Sequence, residues 1–233
     1  MITIALIVAM TSEYEQVKSL LTDVKEEKVG PFTCVTGQHN GASFVLMQCG
    51  MGKVNAAAGA TEMIRTFRPD YLISTGVAGG IDSCLRIMDV VVSRQLVHHD
   101  MWCGPGTERG EVQGVAKIFE GDRDMVRVAM GLPCETRIHG GLICTGDQFI
   151  SDRKQLDEIK GAFPEGLAVD MESAAIAQVA YLYKVPFVSF RIISDTPGAE
   201  GHTQQWEDFW TNIAEGSFTV TKTFLEQLIE AKK

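Results

Sequence analysis

The chain has 233 residues, 45% of them hydrophobic and 22% charged, with a formal net charge of −9. That is an ordinary globular composition with room for a sizeable core. The acidic balance argues against wrapping nucleic acid or coating an anionic membrane, and it still allows a local pocket for a nucleoside-sized ligand.

Taken in order, "MITIALIVAM" is apolar, short and without a basic n-region, so residues 2–9 read as a first strand rather than a signal peptide. A helix over Ser12–Leu21 follows, with Ser12 as its cap and Glu15 three residues on. Residues 33–37 and 43–49 alternate around "HNGA" as a hairpin. "GMGKVNAAAGATEMIRTF" opens on glycines and becomes a helix. Strands are expected at 71–76 and 89–97; the glycine-rich stretch 101–116 takes no assigned element. A helix near 122–131, a strand near 138–145, a helix near 153–161, a short strand 166–170, a helix 171–183, a strand 186–193 and a long helix from about 205 complete the chain.

No apolar run is long enough to span a membrane. The six scattered cysteines lack a C-x-x-C pair, which favours reduced thiols in the cytoplasm. His98-His99-Asp100 has no second ligand cluster at zinc-like spacing, so no metal is expected. Nothing resembling a linker divides residues 1–233, which read as one domain. Strands alternating with helices predict an α/β protein whose sheet is mainly parallel, and the hairpin makes it mixed.

Ligands of open α/β sheets bind beyond the carboxyl ends of the strands. Those ends read "AMTSE", "CGMGK", "STGVAGG", "CTGDQFI", "VDMES" and "IISDTPG". Each carries a glycine cluster, a carboxylate or both. Glu13, Asp170, Glu172 and Asp195 each have a plain reading as a first-turn or turn acid. Arg191, inside an apolar strand, needs carboxylate company that these acids supply. Neither "GMGK" nor "GVAGG" has the spacing of a nucleotide phosphate loop. Met10, Met51, Met171, Phe149 and Trp206 sit at the same ends and read as core or as the walls of an apolar slot. Acids, one arginine, glycine turns and apolar walls together suit cleavage of a glycosidic-type bond, in which one carboxyl group protonates the leaving group and another positions water.

These motifs, in this order over nearly the whole chain, resemble the nucleoside phosphorylase/nucleosidase superfamily, and within it most the 5′-methylthioadenosine/S-adenosylhomocysteine nucleosidases. The resemblance implies a three-layer αβα fold with a central mixed, mainly parallel sheet, a homodimer, and no cofactor or metal. It implies hydrolysis of the N-glycosidic bond with release of adenine. By similarity, Asp195 protonates purine N7, Glu13 acts on the attacking water and Arg191 helps to hold that water. Glu172 would bind the ribose hydroxyls beside Met171. Phe149 would stack on the base and Ile150 would offer its backbone to the base edge, with Gly79 in the matching glycine turn. Met10, Met51 and Trp206 would face the 5′-thio group.

Three positions depart from the family pattern. Val77 stands where serine is common, Asp170 where glutamate is usual, and Met88 where glycine is common, so the turn at Met88 is expected to be built differently. The loop 101–116 matches poorly. A purine nucleoside phosphorylase, a hydrolase of the futalosine pathway, an enzyme favouring 5′-deoxyadenosine and a non-catalytic nucleoside-binding domain remain as alternatives.

Overall fold

The structure, a computed structural model, describes residues 1–197, 199, 201–209 and 214–232, with side chains from 218 onward in the last stretch. The chain runs β1 (Thr3–Val8), α1 (Thr11–Lys18), β2 (Thr22–Val29), β3 (Phe32–His39), β4 (Ala42–Gln48), α2 (Lys53–Phe67), β5 (Tyr71–Gly80) and β6 (Val90–His98). It continues with β7 (Phe119–Glu120), α3 (Arg123–Met130), β8 (Ile138–Thr145), α4 (Arg153–Ala162), β9 (Gly166–Asp170), α5 (Ser173–Tyr183), β10 (Phe187–Asp195), α6 (His202–Asp208) and α7 (Ala214–Ala231).

The strands form one mixed sheet flanked by helices. Its centre is parallel: β4 lies beside β1, β1 beside β5, and β5 beside β10. Antiparallel pairs β2–β3 and β3–β4 make one edge. At the other end β10, β6, β8 and β9 curl round until β9 returns to β5, closing a ring that the sequence analysis did not foresee. One stretch of β5 pairs with β1 as far as Ser74, and β9 takes up the same strand again at Gly79. That break in pairing is where the functional cleft opens.

Small residues dominate the inner face of α5, Ala174, Ala175, Ala177 and Ala180, which lets α2 pack closely through Ala56, Ala60 and Met63. On the opposite face α1, α3 and α7 cover the sheet with Val17, Met125, Ala129, Phe224, Leu225 and Leu228. Phe190 of β10 stacks on Phe224 with ring centroids 4.8 Å apart.

Several local expectations change. Strand β2, "TDVKEEKV", was not anticipated because its charges hide any alternation; it is exposed except for Val29, and such charges protect a sheet edge from further pairing. The cap of α1 is Met10 rather than Ser12, and Glu13 rather than Glu15 folds back on the helix start. The helix expected from 171 begins at Ser173. Met88 takes φ of 74°, the left-handed conformation that glycine enters freely, so the methionine bears that backbone rather than replacing it. The helix expected from about 205 is described as α6 and α7, with residues 210–213 outside the described ones.

Candidate active site

A cleft partly open to solvent lies at the carboxyl ends of β1, β5, β9 and β10. These strands, together with the loops and helix starts that follow them and that follow β4 and β8, bring every candidate residue to its walls.

Glu13 comes from the first turn of α1 and is 6% exposed. Its Oε2 accepts from the amides of Ala9 at 3.1 Å and Met10 at 3.0 Å. Its Oε1 accepts from the Val77 amide at 3.2 Å. That amide lies in the stretch of β5 between its β1 and β9 partners. Burial raises the Glu13 pKa, against the pull of Arg191 and the three amides, which makes the carboxylate a stronger base than an ordinary glutamate. Gly76, at φ 150°, lets two groups converge here: a Cβ there would overlap Glu13 Oε1 and stand 2.7 Å from Arg191 Nη1.

Arg191, in the middle of β10, is 1% exposed. Its Nε lies 2.9 Å from Asp170 Oδ2 and 3.1 Å from the hydroxyls of both Ser173 and Ser189. Its Nη2 donates to Ser74 Oγ at 2.8 Å and stands 3.8 Å from Glu172 Oε2. Burial alone would lower its pKa; the carboxylates of Asp170, Glu172 and Glu13 more than reverse this, so the guanidinium is held charged. Asp170 ends β9 and is itself anchored by the Ser173 hydroxyl and by Thr145 Oγ1 at 2.5 Å.

Glu172 precedes α5, and its Oε1 accepts from the Gly52 amide at the start of α2 at 2.9 Å. Its pKa is pushed up to about 7, by burial first and then by the charges of Asp170 and Glu13, against Arg191 and the Gly52 amide. Asp195 ends β10 and is 3% exposed. Burial raises its pKa as well, against a 2.6 Å hydrogen bond from Ser194 Oγ and the nearby His202. A cleft carboxyl group with a raised pKa has the proton affinity a general acid needs.

Apolar groups make the remaining walls: Met10 and Met51 beside the ends of β1 and β4, Val77 and Gly79 on β5, Met171 after β9, and Trp206 on α6. Phe149 and the buried Ile150 enter from the loop after β8. Asp147 pins that loop by accepting from the Lys53 amide at 2.7 Å. The structure thus gathers in one cleft all twelve residues singled out from the sequence. Sequence reasoning missed Ser74, Ser173 and Ser189, whose hydroxyls surround Arg191, because a serine within a strand or helix carries no signal of its own. It also missed His202, whose only trace is its i,i+4 spacing to Trp206. Among the described residues, no group of three or more histidine, cysteine or acidic side chains converges as a metal site.

The model of the phosphorylase superfamily matches residues 3–226. A 5′-methylthioadenosine/S-adenosylhomocysteine nucleosidase of Marinomonas sp. (strain MWYL1) is 36% identical over 230 residues, covering 97% of this chain and 99% of that protein. A solved S-adenosylhomocysteine nucleosidase from Streptococcus pyogenes, in complex with 5-methylthiotubericidin, is 34% identical with a TM-score of 0.90 over 97% of each chain. The Neisseria meningitidis nucleosidase in complex with methylthio-immucillin-A is 32% identical with a TM-score of 0.91, covering 97% of this chain and 99% of that one. With this fold, this cleft and these relatives, the chain belongs to the phosphorylase superfamily and, within it, to the 5′-methylthioadenosine/S-adenosylhomocysteine nucleosidases.

Proposed function

We propose that this nucleosidase hydrolyses the N-glycosidic bond of 5′-methylthioadenosine and S-adenosylhomocysteine by dividing the work between two buried carboxyl groups. Asp195 gives its proton to purine N7 as the C1′–N9 electron pair moves into the base, so adenine leaves neutral. Glu13 takes a proton from the water that attacks C1′, and Arg191 steadies that carboxylate. Glu172 grips the ribose hydroxyls beside Met171, Val77 and Gly79. Phe149 stacks on the adenine and Ile150 meets its edge. Met10, Met51 and Trp206 enclose the 5′-thio substituent. No cofactor enters this chemistry.

The observation that carries the reading is the pairing, in one cleft, of an amide-held Glu13 with a buried Asp195 of raised pKa. Hydrolysis is favoured over phosphorolysis because Arg191 is the one cation among the described residues lining the cleft, and its Nε and Nη2 are already engaged. A phosphate ion needs a cation that is free to meet it.

The reading takes 1–233 as one domain acting in methionine salvage in the cytoplasm, which the six free thiols support. It takes the enzyme as a homodimer. Val54, Trp102, Tyr181 and Leu182, large side chains more than half exposed, support the reading that a second copy covers part of the surface.

Base release from methylthioadenosine, followed with and without phosphate, tests the activity. Adenine and a free 5-thioribose sugar should form at a rate independent of phosphate. A phosphate requirement with a sugar 1-phosphate product overturns the reading.

A further inference from the structure

The Asp195 carboxyl group has a neighbour on each oxygen. Ser194 Oγ donates to Oδ1 at 2.6 Å. His202 Nε2 stands 2.8 Å from Oδ2, outside the angle of a hydrogen bond, so this buried nitrogen has no hydrogen-bond partner. His202 is 4% exposed and opens α6. Its ring packs on that of Phe149 with centroids 5.5 Å apart and planes 35° apart. One turn further along α6, Trp206 meets the same Phe149 ring edge-on at 6.2 Å. Gln205 Oε1 accepts from the Thr196 amide at 3.0 Å, which ties α6 to the end of β10 next to Asp195.

A buried imidazole nitrogen without a partner is costly, and Asp195 Oδ2 is the acceptor within reach. A small rotation of either side chain closes the bond, and catalytic hydrogen bonds commonly tighten in this way only as the reaction proceeds. We propose that His202 is a positioning residue for the general acid: its Nε2–H fixes Oδ2 of Asp195 so that the proton on that oxygen faces the purine. The proposal rests on the reading of Asp195 as the donor to N7.

The two interactions are compatible. A protonated Oδ2 accepts from imidazole while donating to N7. As the proton passes to N7 and the C1′–N9 pair enters the base, Oδ2 becomes anionic, and the bond from Nε2–H strengthens when the charge appears. Because His202 also carries the ring of Phe149, base stacking and orientation of the acid become one event.

The test uses two substrates. Methylthioadenosine needs protonation of its leaving group. A 4-nitrophenyl 5-methylthioriboside does not, because nitrophenolate leaves as an anion. His202→Leu should lower kcat for methylthioadenosine at least about tenfold while holding kcat for the nitrophenyl riboside within about twofold. His202→Gln places an amide N–H near the position of imidazole Nε2 and should hold kcat for methylthioadenosine within about threefold of the parent. Equal losses on both substrates would make His202 a packing residue and overturn the proposal, as would an unchanged kcat in His202→Leu or a loss in His202→Gln as large as in His202→Leu. Should His202→Leu fail to fold, His202→Phe, which keeps an aromatic ring against Phe149 and removes the N–H, takes its place under the same two-substrate criterion. Asp195→Asn, run beside them, reads the donor assignment separately: if it is equally slow on both substrates, or fast on methylthioadenosine, the donor lies elsewhere and that reading fails whatever the His202 variants do.

Discussion

Arg191 Nε lies 2.9 Å from Asp170 Oδ2, and neither side chain reaches solvent. The residue that holds the arginine of the cleft is therefore the acid at the end of β9, while Glu172 stands farther off at 3.8 Å. Asp170 is shorter than the usual glutamate, and the Ser173 hydroxyl touches both Asp170 and Arg191 in the space between. Removing one partner of a buried pair leaves an uncompensated charge. Asp170→Ala should lose about 3–5 kcal/mol of stability in denaturant unfolding. Unchanged stability would mean that the three serines suffice to hold Arg191.

Asp195→Asn keeps the shape of the acid and removes its transferable proton. General acid catalysis contributes about 10²–10⁴-fold, so kcat for methylthioadenosine should fall by that order. Affinity for a non-hydrolysable analogue, measured by calorimetry, should change little. A near-parental kcat would move the donor role to another group.

Glu172→Gln separates binding from stability. The fold raises the Glu172 pKa from 4.5 to about 7, so the folded state binds this proton more tightly than the unfolded chain does. Stability therefore falls as pH rises through that window and stays reduced above it. At roughly 1.4 kcal/mol per pKa unit, the ionised carboxylate costs on the order of 3 kcal/mol. At about pH 8 the glutamine variant should melt above the parent, with the difference closing as pH drops through the same window. Its analogue Kd should rise, because the grip proposed for Glu172 on the ribose hydroxyls weakens. A variant less stable than the parent at high pH would show that the pairing with Arg191 outweighs burial.

Gly76→Ala puts a methyl group against both Glu13 Oε1 and Arg191 Nη1. Three amides hold Glu13, and contacts at Nε and Nη2 hold Arg191, so the overlap is relieved only by displacing one of these two side chains. We expect kcat to fall at least about 10²-fold, since misplacement of about 1 Å has that effect. Parental kinetics would show that the strand shifts outward without disturbing Glu13.

Met10, Met51 and Trp206 offer no charge to a 5′ phosphate. Burying an unpaired phosphate there is costly. Competing methylthioadenosine against AMP in a base-release assay should show methylthioadenosine cleaved well and AMP hardly at all. Comparable kcat/KM values would place a different set of residues around the 5′ group.

The sequence by itself determined the strands that make the middle of the sheet and the side chains that line the cleft. Buried strands such as "IALIVA" and "DVVVS" announce themselves by apolar runs, and the ligand rim follows from the rule that such sheets bind at their carboxyl ends. The tertiary structure alone decided which acid meets which partner. Asp170 and Glu172 are two residues apart and look equivalent in the chain. The turn from β9 into α5 aims Asp170 at Arg191 and lifts Glu172 to the Gly52 amide. His202 reaches Asp195 because α6 folds back over the end of β10. Charge separation, desolvation and hydrogen-bond direction depend on distances across the fold, between residues far apart in the chain, and periodicity along the chain carries no record of them.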